Sequence, residues 1–297
     1  MRILLLGKNG QVGWELQRAL APIGELSTLD RTQVDLANPT ALLSVLDKLQ
    51  PQIIVNAAAY TAVDKAETEQ KLAYAVNAET VRILANYCLN NDAWLIHYST
   101  DYVYDGSKLT AYVETDKTNP LSVYGNSKLA GEEHLRNSNC KYLNFRTSWV
   151  FASKGHNFIK SIIKLAKERT ELKVIADQFG APTSAELIAD VTALCLQQIL
   201  LNDEHFGRER IGTYHLVASG EASWHSYAQH IVNKVTQLQQ KLLITANNIL
   251  PIPTEEYPLP AVRPKNSRLD TTKLQQKFAI NLPDWTYYVD RMLEELH

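Results

Sequence analysis

Short apolar runs alternate with amphipathic stretches through the first half of the chain. The runs are, in order, RILLLG, ELSTLD, IIVNAA, WLIHYST and YLNFRTS. Between and after them, the spacing of apolar residues predicts helices at 10–23, 40–50, 64–92 and 123–137. Buried strands that alternate with helices are typical of a doubly wound α/β fold with a parallel sheet. We therefore predict such a sheet for this half.

The second half of the chain is less regular. Its pattern predicts helices at 157–169, 185–201, 223–240 and 284–296, a strand at TYHLVAS, and a proline-rich passage, ILPIPTEEYPLPAVRPK. We interpret this half as a smaller C-terminal α/β lobe that binds the substrate and is interleaved with the main sheet. The predicted division is a nucleotide-binding domain at 1–150, with returns near 185–220, and a smaller lobe at 151–184 and 221–297.

Polar residues gather where the predicted strands end. Because parallel sheets bind ligands at the carboxyl ends of their strands, these residues should meet at one site. They are Gly7, Asp30, Asn56, Ser99, Thr100, Asp101, Thr147 and Ser148. Core packing alone does not explain this convergence, which predicts a ligand site.

The first strand leads into a glycine turn that is typical of dinucleotide binding. Gly7, Gly10 and Gly13 follow the pattern G-x-x-G-x-x-G, which allows a tight turn and a close approach of a pyrophosphate to a helix N-terminus. The second strand ends at Asp30, where a ribose-binding acid is expected. Arg31 beside it suits the 2′-phosphate of NADP. We therefore predict NADPH or NADH with a relaxed preference, in a Rossmann-type domain.

Tyr124 and Lys128 are four residues apart on a predicted helix and therefore share one face. We expect Lys128 to lower the pKa of the Tyr124 phenol and to bind the nicotinamide ribose. Thr100, at the end of the fourth strand, would meet the same substrate oxygen as Tyr124. Hydride attack on a ketone builds negative charge on that oxygen, and two hydroxyl donors would stabilise it. Tyr124 is the predicted proton donor.

The charge and the cysteine content limit which binding partners and which cellular compartment we expect. The chain has 297 residues, with 30 basic and 32 acidic side chains, so it lacks the field that gathers nucleic acid or an anionic membrane. Its three cysteines, Cys88, Cys140 and Cys195, show no C-x-x-C spacing and indicate neither a disulfide framework nor a zinc site. No apolar run approaches the ~20 residues of a membrane span. We expect a cytoplasmic protein.

The glycine turn, the strand-end threonine and Y-x-x-x-K together resemble the extended short-chain dehydrogenase/reductase superfamily. Longer motifs resemble the dTDP-4-dehydrorhamnose reductases, from Met1 to the last helix. These motifs are VNAAAYTAVDKAE, STDYVYDG, ETDKTNPLSVYGNSKLAGE, FRTSWVF, DQFGAPT and RPKNSRLDT. The resemblance implies NAD(P)H-dependent reduction of the C4 ketone of dTDP-6-deoxy-L-lyxo-4-hexulose to dTDP-L-rhamnose, the last step in making that sugar donor.

The same resemblance implies a set of binding residues. Cofactor contacts would come from Gly7, Gly10, Gln11, Val12, Gly13, Asp30, Arg31, Asp35, Leu36, Ala59, Tyr60, Thr61, Tyr98, Tyr124 and Lys128. Substrate contacts would come from Thr100, Asp101, Trp149, Gln178 and Arg263, with Arg263 on the diphosphate. The family often has histidine where Tyr60 stands, and Trp149 equally fits an interlobe core residue.

Some members of this family are described as dimers linked by Mg²⁺ through glutamates. The matching positions are Glu15, Glu186 and Glu295, so the resemblance implies a homodimer with a structural metal. Each glutamate also fits an exposed helix carboxylate, and the sequence shows no compact metal-ligand spacing.

Other functions remain open at the level of sequence. Nucleotide-sugar 4,6-dehydratases resemble one another in an Asp-Glu pair after the strand-end threonine, whereas here Asp101 is followed by Tyr102, which disfavours elimination. A nucleotide-sugar epimerase shares the tyrosine, the lysine and the glycines, but the DQFGAPT and RPKNSRL stretches argue against it. A regulatory subunit that resembles the beta subunit of methionine adenosyltransferase would keep the fold without turnover.

Overall fold

The computed structural model describes residues 1–202 and 204–296 and contains a six-stranded parallel sheet in the order β10-β5-β4-β3-β1-β2. The strands, in chain order, are β1 Arg2–Leu6, β2 Glu25–Leu29, β3 Ile53–Asn56, β4 Trp94–Thr100, β5 Lys141–Thr147, β6 Val150–Phe151, β7 Leu172–Ile175, β8 Phe179–Gly180, β9 Thr183–Ser184, β10 Gly212–His215, β11 Ala222–Ser223 and β12 Ile249–Ile252. The five apolar runs of the first half are all strands of this sheet, which confirms the predicted fold class.

Helices cover both faces of the sheet. They are α1 Gln11–Leu20, α2 Pro39–Leu49, α3 Val63–Ala66, α4 Gln70–Tyr74, α5 Thr80–Asn90, α6 Val123–Ser138, α7 Phe158–Glu168, α8 Ala185–Leu201, α9 Glu204–Arg208, α10 Trp224–Gln237, α11 Thr272–Phe278 and α12 Trp285–Glu295. The turn Ala75–Glu79 between α4 and α5 is a π-helix. Short 3₁₀ turns lie at Asp101–Val103, Ala246–Asn248 and Thr254–Glu256. None of these helices is long and apolar enough to cross a bilayer among the described residues.

The sheet divides the core into two layers because successive strand residues point to opposite faces. Ile3 and Leu5 of β1 belong to one buried cluster, which extends to Leu293 of α12. Leu4 and Leu6 belong to the other, beneath α2, α5 and α6. These four side chains of the five-residue β1 are at most 1% exposed, which accounts for the continuous apolar run in the sequence.

The second half joins the first through β10 and α8. β10 extends the main sheet by pairing with β5, and α8 packs on α1. β7 pairs with β12 in a separate two-stranded parallel sheet, while β6–β9 and β8–β11 form two-residue pairs. The predicted strand TYHLVAS corresponds to β10, which ends at His215. The two-residue strand pairs were not predicted, because two residues are too few to show a periodic pattern.

Candidate functional site

A cavity of about 580 Å³ opens at the carboxyl ends of β1–β5. Of the predicted cofactor residues, all except Gly13 line it, as do the substrate residues Thr100, Asp101 and Trp149. Gln178, Arg263 and the three glutamates lie outside this lining. Of the eight strand-end residues that were predicted to meet at one site, all except Asn56 line this cavity.

The glycine turn is built by close backbone contacts. Gly7 has φ +86°, in the left-handed region, and its N–H donates to the carbonyl of Leu29 at 2.9 Å. A Cβ on Gly13 would lie 2.0 Å from the carbonyl oxygen of Gly7, so only glycine lets α1 approach β1 this closely. Gly13 thus contributes to the shape of the site, although it does not line the cavity itself. Among the described side chains none caps the first turn of α1, which leaves backbone N–H groups for an anion.

The end of β2 presents polar groups at the far side of the cavity. The Oδ1 of Asp30 accepts from the Thr32 hydroxyl at 2.6 Å, and its Oδ2 accepts from the Asn9 amide at 2.9 Å. Lys8 lies 3.5 Å from the same carboxylate. The hydrogen bond from Thr32 is the main cause of a lowered pKa of Asp30, so this carboxylate is ionised beside Arg31.

Tyr124 and Lys128 lie on α6, and both side chains face the cavity. The Ser122 hydroxyl caps this helix by accepting from the N–H of Gly125 at 3.2 Å. Lys128 is 1% exposed, and its Nζ donates to the carbonyl of Tyr98 at 2.5 Å. Tyr124 packs edge-on against Tyr102, with ring centroids 5.5 Å apart. β4 and α6 together therefore fix the two side chains.

The pKa values at this site differ from the sequence-based expectation. Burial raises the pKa of Tyr124 to about 12, with the Thr100 hydroxyl acting in the opposite direction. The Nζ of Lys128 donates to the carbonyl of Tyr98 on β4, and burial is the main cause of the raised phenol pKa. The pKa of Tyr124 is thus raised where the sequence predicted a lowered value, and the effect of Lys128 on it stays a prediction. Burial also lowers the pKa of Lys128 to about 8, against the opposing charge of Glu132.

Thr100 and Asp101 lie at the floor of the cavity. The Thr100 hydroxyl donates to the Oδ1 of Asp101 at 3.0 Å. The Oδ2 of Asp101 is buried without a hydrogen-bond partner among the described residues, as are the hydroxyls of Ser99 and Thr147. Since buried polar atoms are nearly always paired, these groups point to a polar ligand in the cavity. Burial raises the pKa of Asp101 to about 6, and the nearby hydroxyls of Ser267 and Thr100 act in the opposite direction.

Asn77 was not predicted, yet it joins the lining residue Tyr60 to Ser127 of α6. Its Oδ1 accepts from the N–H of Tyr60 at 2.8 Å, and its Nδ2 donates to the Tyr60 carbonyl at 3.0 Å and to the Ser127 hydroxyl at 3.0 Å. The Tyr60 hydroxyl donates to Glu69, at 2.7 Å. An asparagine inside a helical stretch gives no signal of this role, because the π-helical turn that aims it is not visible in the sequence.

The chain is similar to proteins of one family along its whole length. A family model described as the RmlD substrate binding domain matches residues 1–297. The dTDP-4-dehydrorhamnose reductase of Shigella flexneri is 51% identical over 300 residues, which cover 100% of this chain and 98% of the relative. This chain belongs to the dTDP-4-dehydrorhamnose reductase family.

Solved structures of the same family have the same architecture. The dTDP-4-dehydrorhamnose reductase from Clostridium acetobutylicum superposes with a TM-score of 0.88 at 34% identity, covering 100% of this chain and 99% of the other. A dTDP-4-dehydrorhamnose reductase from Bacillus anthracis in complex with NADP gives a TM-score of 0.86 at 34% identity, covering 99% of each chain. The resemblance found in the motifs is thereby confirmed.

Gln178 and Arg263, which the dTDP-4-dehydrorhamnose reductase motifs implicate in substrate binding, bond to other side chains of the protein in this structure. Gln178 is 4% exposed; its Oε1 accepts from the Trp224 indole at 3.1 Å, and its Nε2 donates to Thr254 at 3.2 Å. Arg263 is paired with Asp64 at 2.8 Å. Neither side chain lines the cavity in this structure, so their substrate contacts stay predictions.

Trp149 of this dTDP-4-dehydrorhamnose reductase family member lies between the cavity and the smaller lobe. It has φ +47°, and its ring stacks on Trp224 with centroids 3.6 Å apart. A Cβ on Gly180 would lie 2.8 Å from the indole, so a glycine is needed there. The ring lines the cavity and also packs against the core, and its contact with the hexose stays a prediction.

The positions that the resemblance implies for Mg²⁺, Glu15, Glu186 and Glu295, lie on α1, α8 and α12. Arg291 lies 3.2 Å from both Glu186 and Glu295, whereas Glu15 lies 3.6 Å from Arg18. Burial raises the pKa of Glu15, with Arg18 acting in the opposite direction. Within residues 1–202 and 204–296 no group of three or more acidic, histidine or cysteine side chains is arranged to hold a metal. A metal shared between subunits stays a prediction.

Proposed function

We propose that this protein catalyses the NAD(P)H-dependent reduction of the C4 ketone of dTDP-6-deoxy-L-lyxo-4-hexulose. The product is dTDP-L-rhamnose, and the reaction is the last step in making that sugar donor. One observation carries the proposal: in a chain similar throughout to dTDP-4-dehydrorhamnose reductases, Thr100, Tyr124 and Lys128 meet in one cavity with the glycine turn.

The cavity fits a nicotinamide dinucleotide. The left-handed Gly7, the close approach of Gly13 and the uncapped first turn of α1 form a cradle for a pyrophosphate. Asp30 and Arg31 would contact the adenosine ribose, with Asp35 and Leu36 near the adenine. The remaining contacts would come from Gln11, Val12, Ala59, Tyr60, Thr61 and Tyr98. The bound cofactor supplies the hydride.

Tyr124 is the proton donor in this proposal. A phenol with its pKa raised to about 12 stays protonated at neutral pH and is therefore ready to protonate an oxygen on which negative charge builds. The Thr100 hydroxyl would donate to the same oxygen and stabilise the charge. Lys128, fixed by the Tyr98 carbonyl, would hold the nicotinamide ribose within reach of Tyr124.

Asp101 and Trp149 would contact the sugar in this proposal. The unpaired Oδ2 of Asp101 suits a sugar hydroxyl, and the flat indole suits the ring face. Arg263 and Gln178 would complete the nucleotide end, after rearrangement of the contacts described above. The proposed division is a nucleotide-binding domain at 1–150, with returns near 185–220, and a sugar-binding lobe at 151–184 and 221–297. The cytoplasmic location and the homodimer stay predictions.

The test follows the absorbance of NADH and NADPH with dTDP-6-deoxy-L-lyxo-4-hexulose made in situ. We expect oxidation of cofactor with recovery of dTDP-rhamnose by the wild type, and a loss of about 100-fold or more in kcat for Tyr124→Phe. Tyr287→Phe, on the exposed surface of α12, is the matched control and should retain full activity. A folded protein that binds NADPH but oxidises none with this substrate would contradict the proposal and favour the epimerase or the regulatory subunit.

A further inference from the structure

The His97 ring lies behind the catalytic helix, between α6 and β3. It is 1% exposed on β4, in register with Asn56 of β3. Its Nε2 lies 3.3 Å from the Nζ of Lys128, and its Nδ1 lies 3.2 Å from the Nδ2 of Asn56. A histidine in an apolar strand reads as a core residue, but this one contacts Lys128 directly.

The donors and acceptors around His97, Lys128 and Asn56 form an unusual set. A neutral imidazole has one N–H and one acceptor nitrogen, and both neighbours of His97 present nitrogen. The Nδ2 of Asn56 only donates, and the Oδ1 of Asn56 accepts from the N–H of Ala58 at 3.3 Å. In this arrangement Nδ1 is the acceptor, so the proton is on Nε2. An Nε2–H can donate to Lys128 only when Lys128 is an uncharged amine.

An ammonium form of Lys128 requires the other tautomer. Nε2 must then accept, Nδ1 carries the proton, and the amide of Asn56 must rotate to present its Oδ1 to that proton. Both arrangements leave the imidazole neutral and fully hydrogen-bonded.

We propose that His97 is a positioning residue of the reduction, which holds the Nζ of Lys128 and couples its protonation state to the tautomer of the imidazole. The inference rests on the proposed function only for its kinetic consequence.

The surroundings favour such a coupled pair. Burial holds the pKa of His97 well below its usual value, and the charge of Lys128 acts in the same direction, so an imidazolium is disfavoured. The charge of Glu132 on α6 also acts on Lys128, and Glu132 is paired with Arg146 of β5 at 2.5 Å. The Tyr98 hydroxyl bonds to Thr192 and does not face Lys128. We therefore expect the tautomer of His97 to change when the charge on Lys128 changes.

Nuclear magnetic resonance of protein with ¹⁵N-labelled histidine tests the coupling without any turnover. His97→Gln assigns the His97 signals among the eight histidines. We expect the proton on Nδ1 near about pH 6 and on Nε2 near about pH 10, with a crossover as Lys128 titrates and no doubly protonated ring. A single tautomer across this range, or an imidazolium at its acid end, overturns the inference.

Kinetics test the positioning role. His97→Leu removes both nitrogens and should lower kcat about tenfold or more while raising the KM for NADPH. His97→Gln returns an amide near Nε2 and should stay within about threefold of wild type. His134→Leu, elsewhere on α6, is the control. A folded His97→Leu with wild-type kcat and KM overturns the role and leaves the proposed function intact, whereas an inactive wild type contradicts the function and leaves the tautomer test standing.

Discussion

The guanidinium of Arg263 and the carboxylate of Asp64 form a two-point ion pair, with Nη1–Oδ1 at 3.0 Å and Nη2–Oδ2 at 2.8 Å. The N–H of Ala261 donates to the same carboxylate, at 3.1 Å. The pair ties α3 to the proline-rich passage. It also lies next to the cavity: burial raises the pKa of the lining residue Tyr102, and the charge of Arg263 acts against that rise. Arg263 is thus held beside the site while keeping further N–H donors.

Replacing Arg263 tests its predicted contact with the diphosphate. Arg263→Ala should raise the KM for the dTDP-sugar about tenfold, because a charge-assisted hydrogen bond to phosphate is lost. The KM for NADPH should stay within about twofold. Steady-state kinetics with each substrate varied in turn measure both constants.

Asp64→Asn is the control for this variant, since it weakens the ion pair and keeps the cation. Its KM for the dTDP-sugar should not rise. An equal increase in the KM for the dTDP-sugar in both variants would show that the ion pair supports the proline-rich passage and that Arg263 makes no contact with phosphate.

The glycine turn offers a contrast between two alanine variants. Gly13→Ala places a Cβ 2.0 Å from the Gly7 carbonyl oxygen and should lower the midpoint of thermal unfolding. Gly10→Ala meets the same oxygen at 3.4 Å, an ordinary contact, and should leave the midpoint nearly unchanged. Because Gly10 lines the cavity, its variant should instead weaken NADPH binding. Calorimetry and cofactor titration distinguish the two; equal destabilisation would contradict the packing argument.

Arg31 should set the preference between the two cofactors. Arg31→Ala is expected to raise the KM for NADPH about tenfold and to leave the KM for NADH within about twofold, because only NADPH carries the 2′-phosphate. Asp30 is already engaged by Thr32 and Asn9, so it should not take over that contact. Arg169→Ala, a distant exposed cation, is the control. A parallel rise of both KM values would assign Arg31 to the shared part of the cofactor.

The sequence predicts the main sheet and the meeting of Thr100, Tyr124 and Lys128 in one cavity, because both depend on local patterns. Five apolar runs end in polar residues, and a spacing of four places Tyr124 and Lys128 on one helix face. The direction of the Lys128 side chain is a tertiary property, since the carbonyl of Tyr98 and the ring of His97 set it across the sheet. The raised pKa of Tyr124 has the same origin, because burial cannot be read from a single helix.

Asp101 is expected to lower the stability of the fold as the pH rises. Its folded-state pKa of about 6 lies above its ordinary value of 3.8, so the folded state binds the proton more tightly. The stabilising contribution is present below 3.8 and is lost as the pH rises through 6. Asp101→Asn does not titrate, so its free energy of unfolding relative to wild type should increase by about 2 kcal/mol from about pH 4 to about pH 8.

Asp105→Asn provides a control of opposite sign four residues along the chain. Hydrogen bonds from Ser107 hold the pKa of Asp105 below its usual value, so its contribution to stability is present at neutral pH and lost as the pH falls. Urea unfolding at several pH values measures both variants. A stability difference for Asp101→Asn that is independent of pH would show that this carboxyl is not desolvated, and would remove the argument that its unpaired oxygen awaits a polar ligand.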